Sequence, residues 1–303
     1  MGDAMDASGN TQQPRTEASW IDKYWESSDG LTLHFRDYPG REDRPAILCL
    51  PGLTRNARDF EPVADAFAGE WRVICVEFRG RGESDYAKDT ATYMPANYLA
   101  DLDLLIAQEQ LDTVVALGTS LGGLVTMMLA ATQPDRLAGY MLNDIGPVID
   151  PAGLERIRDY VGQGRSFPTW MHAARSLRES SMEIYPDFDI SDWLVYAKRL
   201  MCLGENGRVT LDYDMKIAEP FSDPSASQDV DMWPLFRALG GRPGLALRGD
   251  VSDILADATL RKMAAELPDL ETVTVPRVGH TPTLEEPVAQ DAIARLLGKV
   301  AAA

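Results

Sequence analysis

Cysteine and histidine are scarce in this chain, with three of each among 303 residues. Cys49, Cys75 and Cys202 are too few and too widely spaced for a disulfide framework or a metal knuckle. Cys49 and Cys75 sit in the apolar runs 46–50 and 73–76, where a thiol behaves as a small hydrophobe, so both are expected in a core. Positive charge is also short: 29 Lys and Arg face 47 Asp and Glu, a net charge of -18. With no basic cluster to offset it, such a surface repels nucleic acid and anionic membranes. No apolar run approaches the roughly 18 residues a bilayer span requires. The start, Met1-Gly2-Asp3-Ala4-Met5-Asp6, lacks the basic and apolar regions of a signal peptide. The expectation is a cytoplasmic protein without nucleic-acid or membrane partners, and the cysteine usage agrees with a reducing compartment.

Residues 1–17 are polar and aperiodic, which predicts a disordered tail. Beyond them, short β-rich runs alternate with helical spacing. Strands are predicted at 31–35, 46–50, 73–78, 113–117 and 139–142, with helices at 59–67, 97–108 and 121–131. A repeated strand, helix, strand unit implies a mostly parallel sheet covered on both faces. The alternation stops after Asn143-Asp144-Ile145-Gly146-Pro147 and resumes at 244–247, followed by a strand at 272–275 and a helix over 287–300. The organisation read from this is a core of residues 18–146 and 241–303, with an insertion of several helices over 147–240. That insertion is rich in aromatic residues and methionine, among them Trp170, Met171, Met182, Tyr185, Trp193 and Tyr196. Such a set usually packs a small helical subdomain. Collectively it also suggests an apolar wall over a site, for which Trp170, Met171 and Tyr196 are the candidate contacts.

Gly118-Thr119-Ser120-Leu121-Gly122 lies between a predicted strand and a predicted helix. In that setting Gly-x-Ser-x-Gly forces a turn so sharp that only small residues fit beside the serine, whose Oγ is thrust up at the carboxyl edge of the sheet. A nucleophilic serine needs a base. His34 falls in an early strand and His172 in the insertion, where core or surface roles suffice. His280 falls in a loop after the last strand, the one place from which a histidine reaches a serine above parallel strand ends. The imidazole in turn needs a carboxylate to hold its tautomer. Asp250 and Asp253, in the loop Arg248-Gly249-Asp250-Val251-Ser252-Asp253, both precede His280 in the order this architecture expects.

From about residue 25 to 300 the chain resembles the α/β-hydrolase superfamily of esterases, lipases and carbon-carbon hydrolases. Leu50-Pro51-Gly52-Leu53-Thr54 is similar to the family's His-Gly oxyanion loop, with Pro51 in place of histidine. Glu77-Phe78-Arg79-Gly80-Arg81-Gly82-Glu83-Ser84 is similar to its Asp-x-Arg-Gly-x-Gly-x-Ser segment. The resemblance implies an α/β fold with a mostly parallel eight-stranded sheet, helices on both faces, and a helical cap over 147–240. It also implies backbone oxyanion donors at Leu53 and Leu121. In many members the acid stands three residues after the loop glycine, where this chain has Ser252. Related sequences with a Ser-Asp-Ile-Leu pattern use that aspartate, so Asp253 is chosen as the acid over Asp250. Asp144 is a third candidate, because some relatives draw their acid from the end of that earlier strand.

The function expected is hydrolysis of carboxylic esters of small to medium, uncharged, partly apolar molecules. Ser120, His280 and Asp253 would be the catalytic residues, with no cofactor or metal, in a monomer or homodimer. Carbon-carbon hydrolysis of a diketone-like ring-cleavage product is the alternative, since it uses the same residues. It would want a basic pocket residue such as Arg175, Arg178 or Lys198. A non-catalytic ligand-binding module on the same scaffold is the third reading. Epoxide hydrolases and haloalkane dehalogenases fit poorly, because they carry aspartate where this chain has Ser120.

Overall fold

In-register apolar runs flanked by helices assemble one central sheet in the computed structural model, which describes residues 19–221 and 231–303. Its strands are β1 (Ile21–Glu26), β2 (Thr32–Tyr38), β3 (Ala46–Leu50), β4 (Val73–Val76), β5 (Val114–Thr119), β6 (Leu137–Asn143), β10 (Gly244–Gly249) and β11 (Leu270–Val275). The spatial order is β1-β2-β4-β3-β5-β6-β10-β11. Six strands from β4 to β11 run parallel, and β1 and β2 join antiparallel at one edge. The eight-stranded, mostly parallel α/β sheet implied by the resemblance is therefore present. β1 escaped the sequence reading because Ile-Asp-Lys-Tyr-Trp-Glu is short and half polar, as suits an edge strand with only Trp25 fully buried. The segment expected as a tail, 1–17, lies outside the described residues.

Strand residues alternate between two cores. Leu48, Leu50, Ile74, Val76, Ala116 and Leu142 face α2 (Pro95–Gln108), α3 (Leu121–Thr132) and α8 (Asp257–Glu266). Ile47, Cys49, Val73, Cys75, Val115 and Leu117 face α1 (Glu61–Phe67) and α9 (Pro287–Ala301). Cys49 and Cys75 are wholly buried, and burial pushes the Cys49 thiol well above its ordinary pKa, so it stays protonated and inert.

Between β6 and β10 the chain leaves the sheet. It forms α4 (Pro151–Tyr160), β7 (Ser166–Phe167), α5 (Trp170–Ser181), α6 (Ile190–Leu200), β8 (Met201–Leu203), β9 (Val209–Leu211) and α7 (Trp233–Arg237). Beside these helices the three short strands pair antiparallel in the order β7-β9-β8, a small sheet that helical spacing gave no sign of. Two- and three-residue strands are too short for a period of two to show. Thr169 and Asp189 cap α5 and α6, the latter through a full capping box with Asp192. The two helices close over an aromatic knot: Tyr185 stacks on Phe188 at 4.6 Å, and the buried Trp193 meets both rings edge-on.

Candidate active site

The turn from β5 into α3 is as sharp as the pentapeptide requires. Ser120 takes φ +51° and ψ -114°, a left-handed conformation rare for a residue with a side chain. A Cβ at Gly118 would stand 2.5 Å from the Gly122 carbonyl carbon, and one at Gly122 would stand 2.0 Å from the Leu50 oxygen. Both glycines are thus dictated by close backbone approach. The Ser120 N–H donates to the Asn143 carbonyl at 3.0 Å, tying the turn to the end of β6. The Asn143 amide also donates to Thr119 Oγ1 at 3.1 Å and to the Pro282 carbonyl at 3.0 Å. One buried side chain thereby fastens the segments that carry Ser120 and His280.

His280 Nε2 stands 3.0 Å from Ser120 Oγ, and its Nδ1 stands 2.7 Å from Asp144 Oδ2. Ser120 and His280 are brought together as the sequence reading expected. The choice of Asp253 is corrected: its carboxylate is taken by Arg156, with Nε at 2.5 Å from Oδ2 and Nη2 at 2.8 Å from Oδ1. Hydrogen bonds from Arg156 hold the Asp253 carboxyl below its usual pKa against the opposing effect of partial burial. Asp250 is exposed, its hydrogen bonds come from backbone groups, and its charge acts on Arg277.

Asp144 meets His280 because of where β6 runs. β6 lies between β5, which carries Ser120, and β10, so its carboxyl end opens directly behind the histidine. Asp144 turns out of the strand at φ +55°, a conformation that aspartate tolerates better than most residues. Its side chain is fully buried and accepts from the Gly249 N–H at 2.9 Å and from Ser252 Oγ at 2.6 Å. Ser252 is the residue three after Gly249, where many relatives carry the acid. Its side chain is too short to reach the imidazole as an acid would, and it instead donates to the carboxylate that does. A serine at that place, with an aspartate closing β6, was the signal pointing to Asp144.

The other two histidines lie elsewhere. His34 is buried between Glu77 Oε2 at 2.9 Å and Asp22 Oδ1 at 3.0 Å, and His172 Nδ1 meets Thr169 Oγ1 at 2.9 Å on the exposed end of α5.

Gly52 abuts the nucleophile, since a Cβ there would stand 3.7 Å from Ser120 Cβ. Leu53 follows it, and Leu121 opens α3, where the first N–H groups of a helix have no partner within the helix. Ser120, His280, Gly52 and Leu53 border a cavity of about 410 Å³. Its apolar lining includes Ile157, Phe167, Leu177, Leu200, Met201 and Leu211, mostly from the segment between β6 and β10.

Tyr196 lines this cavity as expected, donating nothing to the triad but accepting from Arg55 Nη1 at 3.0 Å. Trp170 and Met171 do not line it, which corrects their reading as substrate contacts. They occupy the first turn of α5, where Trp170 packs on the core and Met171 faces solvent, while Ser176, Leu177, Ser180 and Ser181 further along the helix turn to the cavity. Arg175, Arg178 and Lys198 are also absent from its wall. The arginines that do line it are Arg55, Arg156 and Arg165. Arg55 is held by both oxygens of Asp59 at 2.6 Å, and Arg156 by Asp253. Arg165 is exposed and forms no ion pair among the described residues. Among those residues no cluster of three or more His, Cys, Asp or Glu is placed to hold a metal ion, and no helix is long and apolar enough to cross a membrane.

The profile described as the alpha/beta hydrolase family matches residues 47–291. Over 267 residues the chain is 34% identical to the 3-hydroxybutyrate-oligomer hydrolase of Cupriavidus necator, spanning 82% of this chain and 86% of that protein. It is 25% identical over 256 residues to the 2-(acetamidomethylene)succinate hydrolase of Mesorhizobium japonicum, spanning 82% and 85%. A crystal structure of an alpha/beta hydrolase from Novosphingobium aromaticivorans superposes with a TM-score of 0.90 at 62% identity, covering 93% of this chain and 99% of that one.

Proposed function

Because the chain belongs to the alpha/beta hydrolase family, we propose that it is a serine hydrolase that cleaves carboxylic esters through an acyl-enzyme on Ser120. The observation that carries this reading is the unbroken chain Ser120 Oγ, His280, Asp144 at the wall of a cavity large enough for a small or medium acyl group. His280 Nε2 takes the Ser120 proton as Oγ attacks the ester carbonyl carbon, and Asp144 stabilises the imidazolium. The carbonyl oxygen becomes an oxyanion held by the N–H groups of Leu53 and Leu121. Collapse of the tetrahedral intermediate breaks the bond to the alcohol, which leaves with the proton from His280. Water, deprotonated by His280, then attacks the acyl carbon and releases the acid. In this reading the described residues between β6 and β10 are the lid that walls the acyl site.

A 3-hydroxybutyrate oligomer is a chain of carboxylic esters ending in a carboxylate, so the name of the Cupriavidus relative supports an ester substrate. Arg165 at the cavity supports one that carries a free carboxylate, and it gives the carbon-carbon hydrolase reading the basic residue which that chemistry wants. Initial rates on 3-hydroxybutyrate dimer and trimer, on neutral aryl esters of increasing acyl length, and on a ring-cleavage diketone distinguish these. We expect ester turnover to exceed diketone turnover, together with fluorophosphonate labelling lost in Ser120→Ala. Preferred turnover of the diketone, or an unlabelled wild-type protein, overturns the esterase reading.

A further inference from the structure

Arg81 lies in the turn after β4 with its side chain wholly buried. Its Nε donates to the Leu53 carbonyl at 2.8 Å and its Nη1 to the Arg79 carbonyl at 2.6 Å. The guanidinium lies 4.7 Å over the Tyr98 ring and 5.7 Å from the Tyr93 ring, while Nη2 is buried with no hydrogen-bond partner. Two residues earlier, the equally buried Arg79 is neutralised by Asp101 and Asp29. Arg81 forms no ion pair among the described residues. An unpaired cation in the interior is costly, and two aromatic faces offset only part of that cost. The side chain points at the loop beside Ser120.

The turn itself is stitched down from the other side. The Gly82 N–H donates to the Asp212 carbonyl at 3.1 Å and the Asp214 N–H to the Gly80 carbonyl at 2.8 Å. Tyr93 Oη donates to Asp214 Oδ2 at 2.7 Å, and Tyr213, between these anchors, lines the cavity. Arg81 therefore sits on a fixed base and grips the oxyanion loop from behind.

We propose that Arg81 is the positioning residue of the oxyanion hole. Its Nε holds the Leu53 carbonyl while its Nη1 ties the same guanidinium to the Arg79 carbonyl, which fixes the loop on the far side of Leu53 and so the aim of the Leu53 N–H in the preceding peptide, and its uncancelled positive charge favours the negative charge that forms there. The proposal rests on the reading of Ser120 as nucleophile with Leu53 and Leu121 as oxyanion donors. A preorganised cation needs no rearrangement during reaction, which is why a buried position suits it despite the cost.

The test uses Arg81→Met, which keeps the stem and removes the charge, and Arg81→Lys, which keeps the charge and loses the fork. For each, kcat and KM are measured on a neutral aryl ester, alongside Ki for a trifluoromethyl ketone, whose adduct with Ser120 places an oxyanion in the hole. We expect kcat to fall about 10²-fold in Arg81→Met and about tenfold in Arg81→Lys, with KM little changed and Ki rising by the factor that kcat/KM loses. A purely structural role would lower the melting temperature without that parallel. Wild-type kcat and Ki in Arg81→Lys, or a loss confined to KM, overturns the proposal, and Arg81→Lys decides alone should the methionine variant not fold. Absence of fluorophosphonate labelling in the wild type would instead remove the underlying reading of Ser120.

Discussion

His280 Nδ1 stands 2.7 Å from Asp144, 136 positions away in the chain, while Asp253, much nearer in sequence, is locked to Arg156. The carboxylate that orients the imidazole has thus come from β6 instead of from the loop after β10. Replacing Asp144 by Asn keeps the shape but offers the imidazole an amide where it needs an acceptor. We expect kcat/KM to fall about 10³- to 10⁴-fold. Asp253→Asn should leave kcat/KM within a few-fold, since it breaks only a half-exposed ion pair worth under about 1 kcal/mol. Steady-state kinetics on the two variants decide the assignment, and the reverse ranking would restore Asp253.

Ser252 gives a second route to the same question. Its Oγ lies 2.6 Å from Asp144 Oδ2 and also accepts from the N–H groups of Ile254 and Leu255 at 3.1 and 3.2 Å. A carboxylate at 252 would extend toward Nδ1 from the place where many relatives carry their acid. Introduced into the Asp144→Asn background, Ser252→Asp should recover at least about tenfold of the lost kcat/KM, because the oriented tautomer is what Asp144 contributes. Failure to recover any activity in a folded double variant would mean that β10 ends too far from His280 for that role.

Ser120 was readable because its conformation is written into its neighbours: glycine is required at 118, where a Cβ would collide with the Gly122 backbone, and at 122, where one would collide with the Leu50 carbonyl. The parallel sheet was readable for a similar reason, since fully buried strands such as β3 and β5 are apolar at every position. Asp144 was harder to choose because its role depends on the order of strands in space. Only with β6 placed between β5 and β10 does the end of β6 face the base. Trp170 and Met171 failed for a related reason: helical spacing gives a face but not the partner it meets, and α5 turns its C-terminal half to the cavity.

His34 offers a pH signature separate from catalysis. Burial lowers its pKa, but the hydrogen bond and charge of Glu77, then those of Asp22, outweigh it, so the folded pKa is raised. A raised pKa means the folded state holds the proton more tightly than the unfolded chain. The resulting stability is complete below the unfolded value of about 6.5 and is lost as pH rises through the folded value. The difference in denaturant midpoint between wild type and His34→Gln should therefore be largest under mildly acidic conditions and shrink toward alkaline pH. A difference that grows with pH would show that His34 is held neutral.

Leu177 faces the cavity from α5, with Ile157 and Leu211 among the other apolar residues of the wall. Replacing it by Trp fills part of the 410 Å³ with an indole while leaving the triad untouched. Acyl groups that fit the remaining space should keep their kcat/KM, and longer ones should lose roughly tenfold or more, as overpacking of 1–3 kcal/mol implies. The profile of rate against acyl length is the measurement. A uniform loss across all lengths would place the acyl chain elsewhere.

Arg165 is the cavity arginine whose charge is not taken up by an acidic neighbour, although Asp159 shares the same wall. In a chain of net charge -18, an anionic substrate meets general repulsion, and a local cation is what would let it dwell near Ser120. A charge-assisted hydrogen bond from guanidinium to carboxylate contributes about 1.5–3 kcal/mol. Arg165→Gln should therefore raise KM for a 3-hydroxybutyrate dimer about tenfold or more, while the methyl ester of the same dimer, which has no free carboxylate, is turned over as by the wild type. Asp159→Asn should act in the opposite direction, easing the approach of the acid and leaving its methyl ester unaffected. Equal effects of Arg165→Gln on both substrates would show that the residue shapes the cavity without reading charge, and the preference for acid-bearing esters would then have to arise elsewhere.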